Sequence, residues 1–320
     1  MSVSEQTSLP YRVMGIVNVT PDSFSDGGEY LQADAAIAHA RELVSEGADI
    51  LDVGGESTRP GAEPVSPDEE LRRVLPVLEG IAAWGTAERT SEDAHGWPAQ
   101  SQVSIDTSKA SVARAAIAAG ASIVNDVTAL RGDPEMVGLI ADSGVRCSLM
   151  HMLGEPRTML GTGGTGRRGG ATGVGGPQYK DVVGEVKAFL EARLSFAVSE
   201  GVEEERIMLD PGIGFGKTVA HNLELLERLQ ELTTLGRPLL VGTSRKSFLG
   251  RIIADARRQQ EPVAPELRLP GTIATNVLAL ERGANIFRVH DVAPVRDALA
   301  VAAATFGRRW TARAGTMQTS

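Results

Sequence analysis

Eight short apolar runs in this chain each give way, at their C-terminal end, to residues able to do chemistry. Asn18 follows the first, Glu56-Ser57-Thr58-Arg59 the second, Asp106 the third, and Asn125-Asp126 the fourth. His151 follows the fifth, Asp210 the sixth and Ser244-Arg245-Lys246 the seventh, while Arg288-Val289-His290 stand at the eighth. These types sort into three jobs. Asp106, Asn125 and Asp210 can accept hydrogen bonds from a flat heterocycle that presents adjacent N–H donors. Arg59, Arg245, Lys246, Arg288 and His290 can hold an anionic group. Asn18 offers a hard oxygen of the kind magnesium accepts, with water and phosphate oxygens completing the shell. Each position also has a plainer reading: Asn18, Asp26 and Asp126 can simply shape turns, and Ser244 and Arg245 can shape the loop that carries Lys246. His151 reads as a packed core residue and stays off the catalytic set. Recurrence at every strand end is what argues for a site.

The elements that must position these residues alternate regularly. Strand candidates at 12–18, 49–54, 102–106, 122–125, 146–151, 206–210, 238–242 and 285–289 are rich in Val, Ile and Leu and bounded by Gly, Pro, Asn or Asp, as in a buried parallel sheet. Between them lie helical patterns. Ala36, Ile37, Ala40, Leu43 and Val44 fall on one helix face, as do Val182, Val186, Phe189, Leu190 and Ala197. Eight strands each followed by a helix predict a single α/β domain, a (β/α)8 TIM barrel over 11–306, whose strand ends form one rim. An open doubly wound sheet is the alternative, though no Gly-rich first turn supports it. Residues 1–10 and 307–320 read as flexible ends. Two loop insertions are expected: a polar one near 84–101 and a Gly-rich one near 161–177.

Composition excludes several classes. The chain has 320 residues, 42% of them hydrophobic, and a net charge of −9, which argues against a nucleic-acid surface. No apolar run is long enough for a membrane span, and the polar start lacks the order of a secretory signal, so a cytoplasmic address is expected. The single cysteine, Cys147, rules out an intrachain disulfide and reads as a buried strand residue. Asp210-Pro211-Gly212-Ile213-Gly214-Phe215-Gly216-Lys217-Thr218 resembles a nucleotide P-loop only superficially, because Pro211 stands where its first Gly is needed. It reads as a flexible turn ending at Lys217.

The long blocks are more specific. Met14-Gly15-Ile16-Val17-Asn18-Val19-Thr20-Pro21-Asp22-Ser23-Phe24-Ser25-Asp26-Gly27-Gly28 closely resembles the first signature of the dihydropteroate synthases. Asp52-Val53-Gly54-Gly55-Glu56-Ser57-Thr58-Arg59-Pro60-Gly61 is similar to the second. Ser104-Ile105-Asp106-Thr107, Asn125-Asp126, Met150-His151-Met152, the Asp210–Lys217 block, Ser244-Arg245-Lys246-Ser247 and Arg288-Val289-His290-Asp291 follow in the family's order. The resemblance runs from about Arg12 to Phe306.

It implies a barrel that joins a dihydropterin methyl diphosphate to 4-aminobenzoate, with Mg2+ as cofactor and a homodimer as the assembly. By matched position, Asp106, Asn125, Asp210 and Lys246 contact the pterin, Arg288 and His290 lie at the diphosphate, and Thr58 and Val289 are further substrate contacts. Asn18 matches the metal ligand. Asp26 and Arg59, with Asp106 and Lys246, match catalytic-stage contacts. Phe24, Pro60 and Phe215 border the aminobenzoate, a slot that a sulfonamide with the same aniline ring would share. The chemistry is coherent: departure of diphosphate leaves a ring-conjugated cation that nearby carboxylates favour, and no protein nucleophile is needed. Two rivals remain. A corrinoid-linked methyltetrahydrofolate methyltransferase would share the pterin contacts but not Ser244-Arg245-Lys246 with Arg288 and His290. A non-catalytic paralogue would bind without turnover.

Overall fold

The computed structural model describes residues 11–20, 29–57, 63–84, 101–153 and 177–306. The eight strands are β1 (Arg12–Asn18), β2 (Ile50–Gly54), β3 (Gln102–Asp106), β4 (Ile123–Asp126), β5 (Arg146–Met150), β6 (Ile207–Asp210), β7 (Leu240–Val241) and β8 (Ile286–Val289). All pair in parallel, in the order β6-β5-β4-β3-β2-β1-β8-β7. A parallel bridge between Leu209 and Leu239, with the Leu209 N–H donating to the Pro238 carbonyl at 2.9 Å, joins the two ends. The sheet therefore closes into the expected TIM barrel.

Closure dictates how each strand is read. Alternate side chains point outward, and Val13, Val17, Leu51, Val53, Ile105, Val124, Leu149, Leu209, Val241, Phe287 and Val289 join the helix-facing core. Their inward neighbours form layers. Met14, Ile50, Ile123, Met208, Leu240 and Ile286 make a separate apolar cluster at the N-terminal end of the barrel. One step further along the same inner faces stand Asp52, Ser104 and Ser148, all fully buried. Above these comes the polar rim.

The helices are α1 (Glu29–Ser45), α2 (Pro67–Ala82), α3 (Ala110–Ala118), α4 (Met136–Ser143), α5 (Val182–Ser199), α6 (Val219–Glu227), α7 (Ser247–Ala256), α8 (Leu269–Glu281) and α9 (Val292–Thr305). Their starts follow ordinary capping rules. At α2 the Ser66 hydroxyl accepts from the Glu69 N–H at 3.2 Å, Pro67 supplies a preset first turn, and Asp68, Glu69 and Glu70 face the positive end of the dipole. The predicted apolar faces are buried at Ala36, Ala40 and Leu43, and at Val182, Val186, Leu190 and Ala197, while Val44 is exposed.

Two expectations need correction. The seventh strand is two residues long rather than 238–242: Pro238 has no N–H to give the ladder, and the Leu239 N–H goes to the Asn285 side chain rather than to a neighbouring strand's backbone. Two helices, not one, connect β7 to β8: Pro262, Pro265 and Pro270 interrupt the helical pattern, and a short 3-10 turn at Pro265–Arg268 separates α7 from α8. The polar stretch near 84–101 and the Gly-rich stretch near 161–177 lie outside the described residues except for Trp84, Ser101 and Pro177. The predicted ends, 1–10 and 307–320, also lie outside them. Cys147 is buried in β5, where desolvation pushes its thiol up to about 12, and it takes no part in the rim.

Candidate active site

The strand ends meet in a cavity of about 700 Å3 bordered by Asn18, Asp106, Asn125, Asp210, Phe215, Lys246, Arg288 and His290, among others. That is large enough for a substrate of two or more rings. The floor is an ion cluster joining β8 to β2 and β3 over the intervening β1. Arg288 of β8 donates from Nε to Asp52 Oδ2 of β2 at 2.6 Å and from Nη2 to Asp106 Oδ2 of β3 at 2.7 Å. Asn125 of β4 donates to the same Asp52 oxygen at 3.2 Å, leaving its carboxamide oxygen for another donor. Burial works against the guanidinium's charge, but Asp52 and Asp106 outweigh it and hold Arg288 firmly protonated. Burial also raises the Asp106 pKa, and the negative neighbours Asp52, Glu70 and Asp126 add to this against Arg288.

Asp210 closes β6 from the other side. Desolvation lifts it to about 6, even though its Oδ1 accepts the Gly212 N–H at 2.7 Å. The loop that follows packs tightly against the end of β5. Gly212 has φ +66, and a Cβ there would come within 1.9 Å of the His151 carbonyl oxygen, so only glycine lets the loop lie against the end of β5. Lys217 turns back beneath the loop, buried, with Nζ 2.9 Å from His151 Nδ1, 2.9 Å from the Gly212 carbonyl and 3.0 Å from the Phe215 carbonyl. Desolvation brings it down to about 7, against the charge of Asp210 and with that of Lys246 adding to the drop. His151 packs edge-on to Phe189 at 4.9 Å, and burial with the Lys217 charge lowers it to about 3. It is therefore a neutral acceptor that braces the loop.

This brace presents Phe215 to the cavity. Lys246 Nζ lies 3.9 Å from the Phe215 ring centroid, and burial, helped by Arg288, lowers it to about 8. The side chain is open to the cavity yet deep within the mouth, away from bulk water. Its neighbour Arg245 shapes the loop: φ is +55, the guanidinium grips Asp291 at 2.6 and 3.0 Å, and Arg268 donates to the Arg245 carbonyl at 2.9 Å. Ser244 Oγ lies 3.0 Å from His290 Nδ1 and accepts the His290 N–H at 3.1 Å, tying β7 to β8 at the rim. Asp126 is likewise a turn former. Its carboxylate accepts from the Thr128 N–H and hydroxyl and from the Leu130 N–H, next to Ala129 and Leu130 at positive φ.

Of the residues expected at the site, Asn18, Asp106, Asn125, Asp210, Phe215, Lys246, Arg288 and His290 share the cavity. Val289 does not: its side chain faces the outer core, so only its backbone is near the rim. Phe24, Asp26, Thr58, Arg59 and Pro60 lie outside the described residues. The root of the second signature is nonetheless defined. Glu56 accepts the Val65 N–H at 3.1 Å across that loop, and Lys109 Nζ bridges Glu56 at 2.6 Å and the fully buried Glu70. Among the described residues no group of three or more His, Cys, Asp and Glu could cage a metal. Asn18, Thr20 and Ser57 border the cavity with neutral oxygens, a donor set that suits magnesium only when ligand oxygens complete it.

Sequence reasoning missed Asp52, Lys217 and the Lys109–Glu70 pair. Asp52 had a signal, an acid inside the apolar run Ile50-Leu51-Asp52-Val53 and on the inward parity; Glu70 had none.

Known proteins agree with this geometry. The model of the pterin binding enzyme family matches residues 14–290. The dihydropteroate synthase of Neisseria meningitidis serogroup B is 44% identical over 297 residues, 91% of each chain. Among solved structures, the Xanthomonas albilineans dihydropteroate synthase with 4-aminobenzoic acid is 45% identical and covers 92% of this chain and 93% of its own, with a TM-score of 0.77. The same enzyme in complex with 7,8-dihydropteroate is 42% identical over the same shares, with a TM-score of 0.74. Eight motif-bearing strand ends, one shared cavity and this degree of identity have one reading: the chain belongs to the pterin-binding enzyme family, among its dihydropteroate synthases.

Proposed function

We propose that the chain condenses (7,8-dihydropterin-6-yl)methyl diphosphate with 4-aminobenzoate, giving 7,8-dihydropteroate and diphosphate. The observation that carries this reading is the pairing, in one cavity, of desolvated carboxylates with a separate basic set. Asp210 and Asn125 accept the pterin's amino and ring N–H groups, Asp106 faces the ring, and Lys246 completes the pocket. Arg288 and His290 hold the diphosphate. The methylene C–O bond breaks with its electron pair leaving on diphosphate, and Asp106 and Asp210 favour the cation left on the ring. The amine lone pair of 4-aminobenzoate then forms the C–N bond, and the nitrogen loses a proton to the departing diphosphate or to solvent.

Phe215 and Lys246 border the aminobenzoate slot, to which Phe24 and Pro60 are assigned by their matched motif positions alone, and the N-terminus of α7 at Ser247 lies on the cavity to meet the benzoate carboxylate. Thr58, Asp26 and Arg59 act from the two signature loops, Asp26 and Arg59 at the catalytic stage. Mg2+, held through Asn18, water and diphosphate oxygens, would neutralise charge on the leaving group. The working assembly is a homodimer, supported by the exposed apolar side chains of Leu278 on α8 and of Val301 and Phe306 on or next to α9. The compartment is the cytoplasm; among the described residues no helix is long and apolar enough to cross a membrane. Turnover with both substrates and magnesium, followed by chromatography of the pteroate product, tests the reading. Pterin binding without product would leave only a silent paralogue.

A further inference from the structure

We propose that Asp52 is a positioning residue for the diphosphate grip: it keeps Arg288 fixed throughout turnover, while the Arg288–Asp106 contact is the one that gives way to substrate. This rests on the reading of Arg288 as a diphosphate contact. Three observations carry it. Asp52 is fully buried and does not border the cavity, whereas Asp106 and Arg288 both do, so substrate can compete for Asp106 but not for Asp52. The two contacts also use different parts of the guanidinium. Nε, nearest the stem, goes to Asp52 at 2.6 Å and sets the plane of the group, while Nη2, at the tip, goes to Asp106 at 2.7 Å. Nη1 meets no partner among the described residues and belongs to a side chain on the cavity wall. Held at Nε, the fork therefore keeps both terminal nitrogens available to an anion.

Asp52 performs a second task with the same oxygen. Oδ2 accepts from Asn125 Nδ2 at 3.2 Å, which fixes the carboxamide so that its oxygen is the atom left for a ligand donor. One buried carboxylate thus orients a contact on each half of the substrate. Its other oxygen, Oδ1, has no hydrogen-bond partner among the described residues, so Arg288 and Asn125 are the groups through which its charge acts.

Asp52→Asn separates this idea from simple electrostatics, because the two predict opposite signs. If Asp52 were only a negative charge under the site, removing it would tighten binding of an anion. As a positioning residue, its loss frees Arg288 to collapse onto Asp106, and binding weakens. Calorimetry with (7,8-dihydropterin-6-yl)methyl diphosphate and magnesium should show a loss of roughly tenfold or more. The 6-hydroxymethyl dihydropterin, which lacks the diphosphate, should lose less, only the share that comes from freeing Asn125. Unchanged or tighter binding of the diphosphate would overturn the proposal. Arg288→Met serves as the control on the underlying reading. If it leaves diphosphate affinity intact, the assignment of Arg288 fails; if it weakens affinity while Asp52→Asn does not, only the positioning role fails. Should Asp52→Asn not fold, the wild-type chain still decides: with 15N-arginine, the Arg288 Nε–H should stay protected from exchange after substrate is added, and its loss of protection would contradict a fixed Asp52 contact.

Discussion

The two ends of the barrel interior are built from the same strands, a few residues apart, and behave as different materials. At the N-terminal end Met14, Ile50, Ile123, Met208, Leu240 and Ile286 fill the space with hydrocarbon. At the C-terminal end the same inward parity delivers Asp106, Asn125, Asp210 and Arg288, with Lys246 on the loop beyond β7. The first end gains free energy from burial. The second gives some back, since desolvation lifts Asp106 and Asp210 and lowers Lys246. The comparison teaches a division of labour: the apolar plug holds the strands in register, and that rigidity lets the rim hold charged groups largely withdrawn from solvent on the cavity wall.

The sharpest way to break this comparison is to exchange the two kinds of damage. Ile123→Ala opens a cavity in the plug and should cost ~2–5 kcal/mol of stability by denaturant titration. Pterin affinity of the folded fraction should stay near the wild-type value; a large affinity loss would mean that the two ends are not separable. Asp210→Ala is the mirror case. It leaves two ligand donors unpaired in a dry site and should weaken pterin binding by about 3 kcal/mol, roughly a hundredfold. Its melting temperature should change little, because removing a carboxylate whose ionisation burial opposes offsets the loss of the bond from the Gly212 N–H.

A pH series sharpens the same contrast at a smaller scale. In the proposed reaction Asp210, raised to about 6, and Asp106, also raised, would bind ligand donors as anions, so affinity should fall as pH drops through this range. Lys246, lowered to about 8, binds as a cation, so affinity for the pterin diphosphate should also fall as pH rises above 8. Each group contributes up to about tenfold per pH unit, or ~1.4 kcal/mol. A binding profile flat from pH 5 to 9 would refute the assignment of these charge states. The sign for folding is opposite for the carboxylates: with folded pKa values above the ordinary one, their favourable share is present at low pH and is lost as pH rises through the folded value. The share of apo stability due to Asp106 and Asp210 should therefore decline toward neutrality where ligand affinity improves, while His151, lowered to about 3, contributes with the opposite sign. The smallest effect belongs to the surface. Arg228 also meets three carboxylates, Asp181, Glu224 and Glu231, but in solvent, and Arg228→Ala should move the melting temperature by no more than about 2 °C.

Most of the barrel was legible in the sequence because parallel strands buried on both faces read as continuous apolar runs, and the first six strands run within about a residue of expectation. β7 was overread because periodicity does not weigh the missing N–H of Pro238, and α8 was missed because three prolines blur the helical pattern between Pro262 and Pro270. Chemistry was legible wherever a polar residue ended a strand. It was not legible where the partner came from elsewhere in the fold. That Lys217 reaches His151 depends on the pairing of β5 with β6, and that Arg288 reaches Asp52 depends on β1 seating β8 two strands from β2, and no local window contains either. Val289 shows the converse, a matched motif position whose side chain faces the other way by strand parity.

The central claim is that diphosphate chemistry and the aminobenzoate slot are coupled in order, with Arg288 and His290 engaged before the slot bordered by Phe215 and Lys246 is complete. The direct test is titration of a sulfonamide, which carries the same aniline ring as 4-aminobenzoate, into the free protein and into the protein with magnesium and diphosphate. The account predicts weak binding to the free protein, much tighter binding with diphosphate present, and competition with 4-aminobenzoate during turnover. Sulfonamide affinity indifferent to diphosphate, with no condensation product formed, would contradict it.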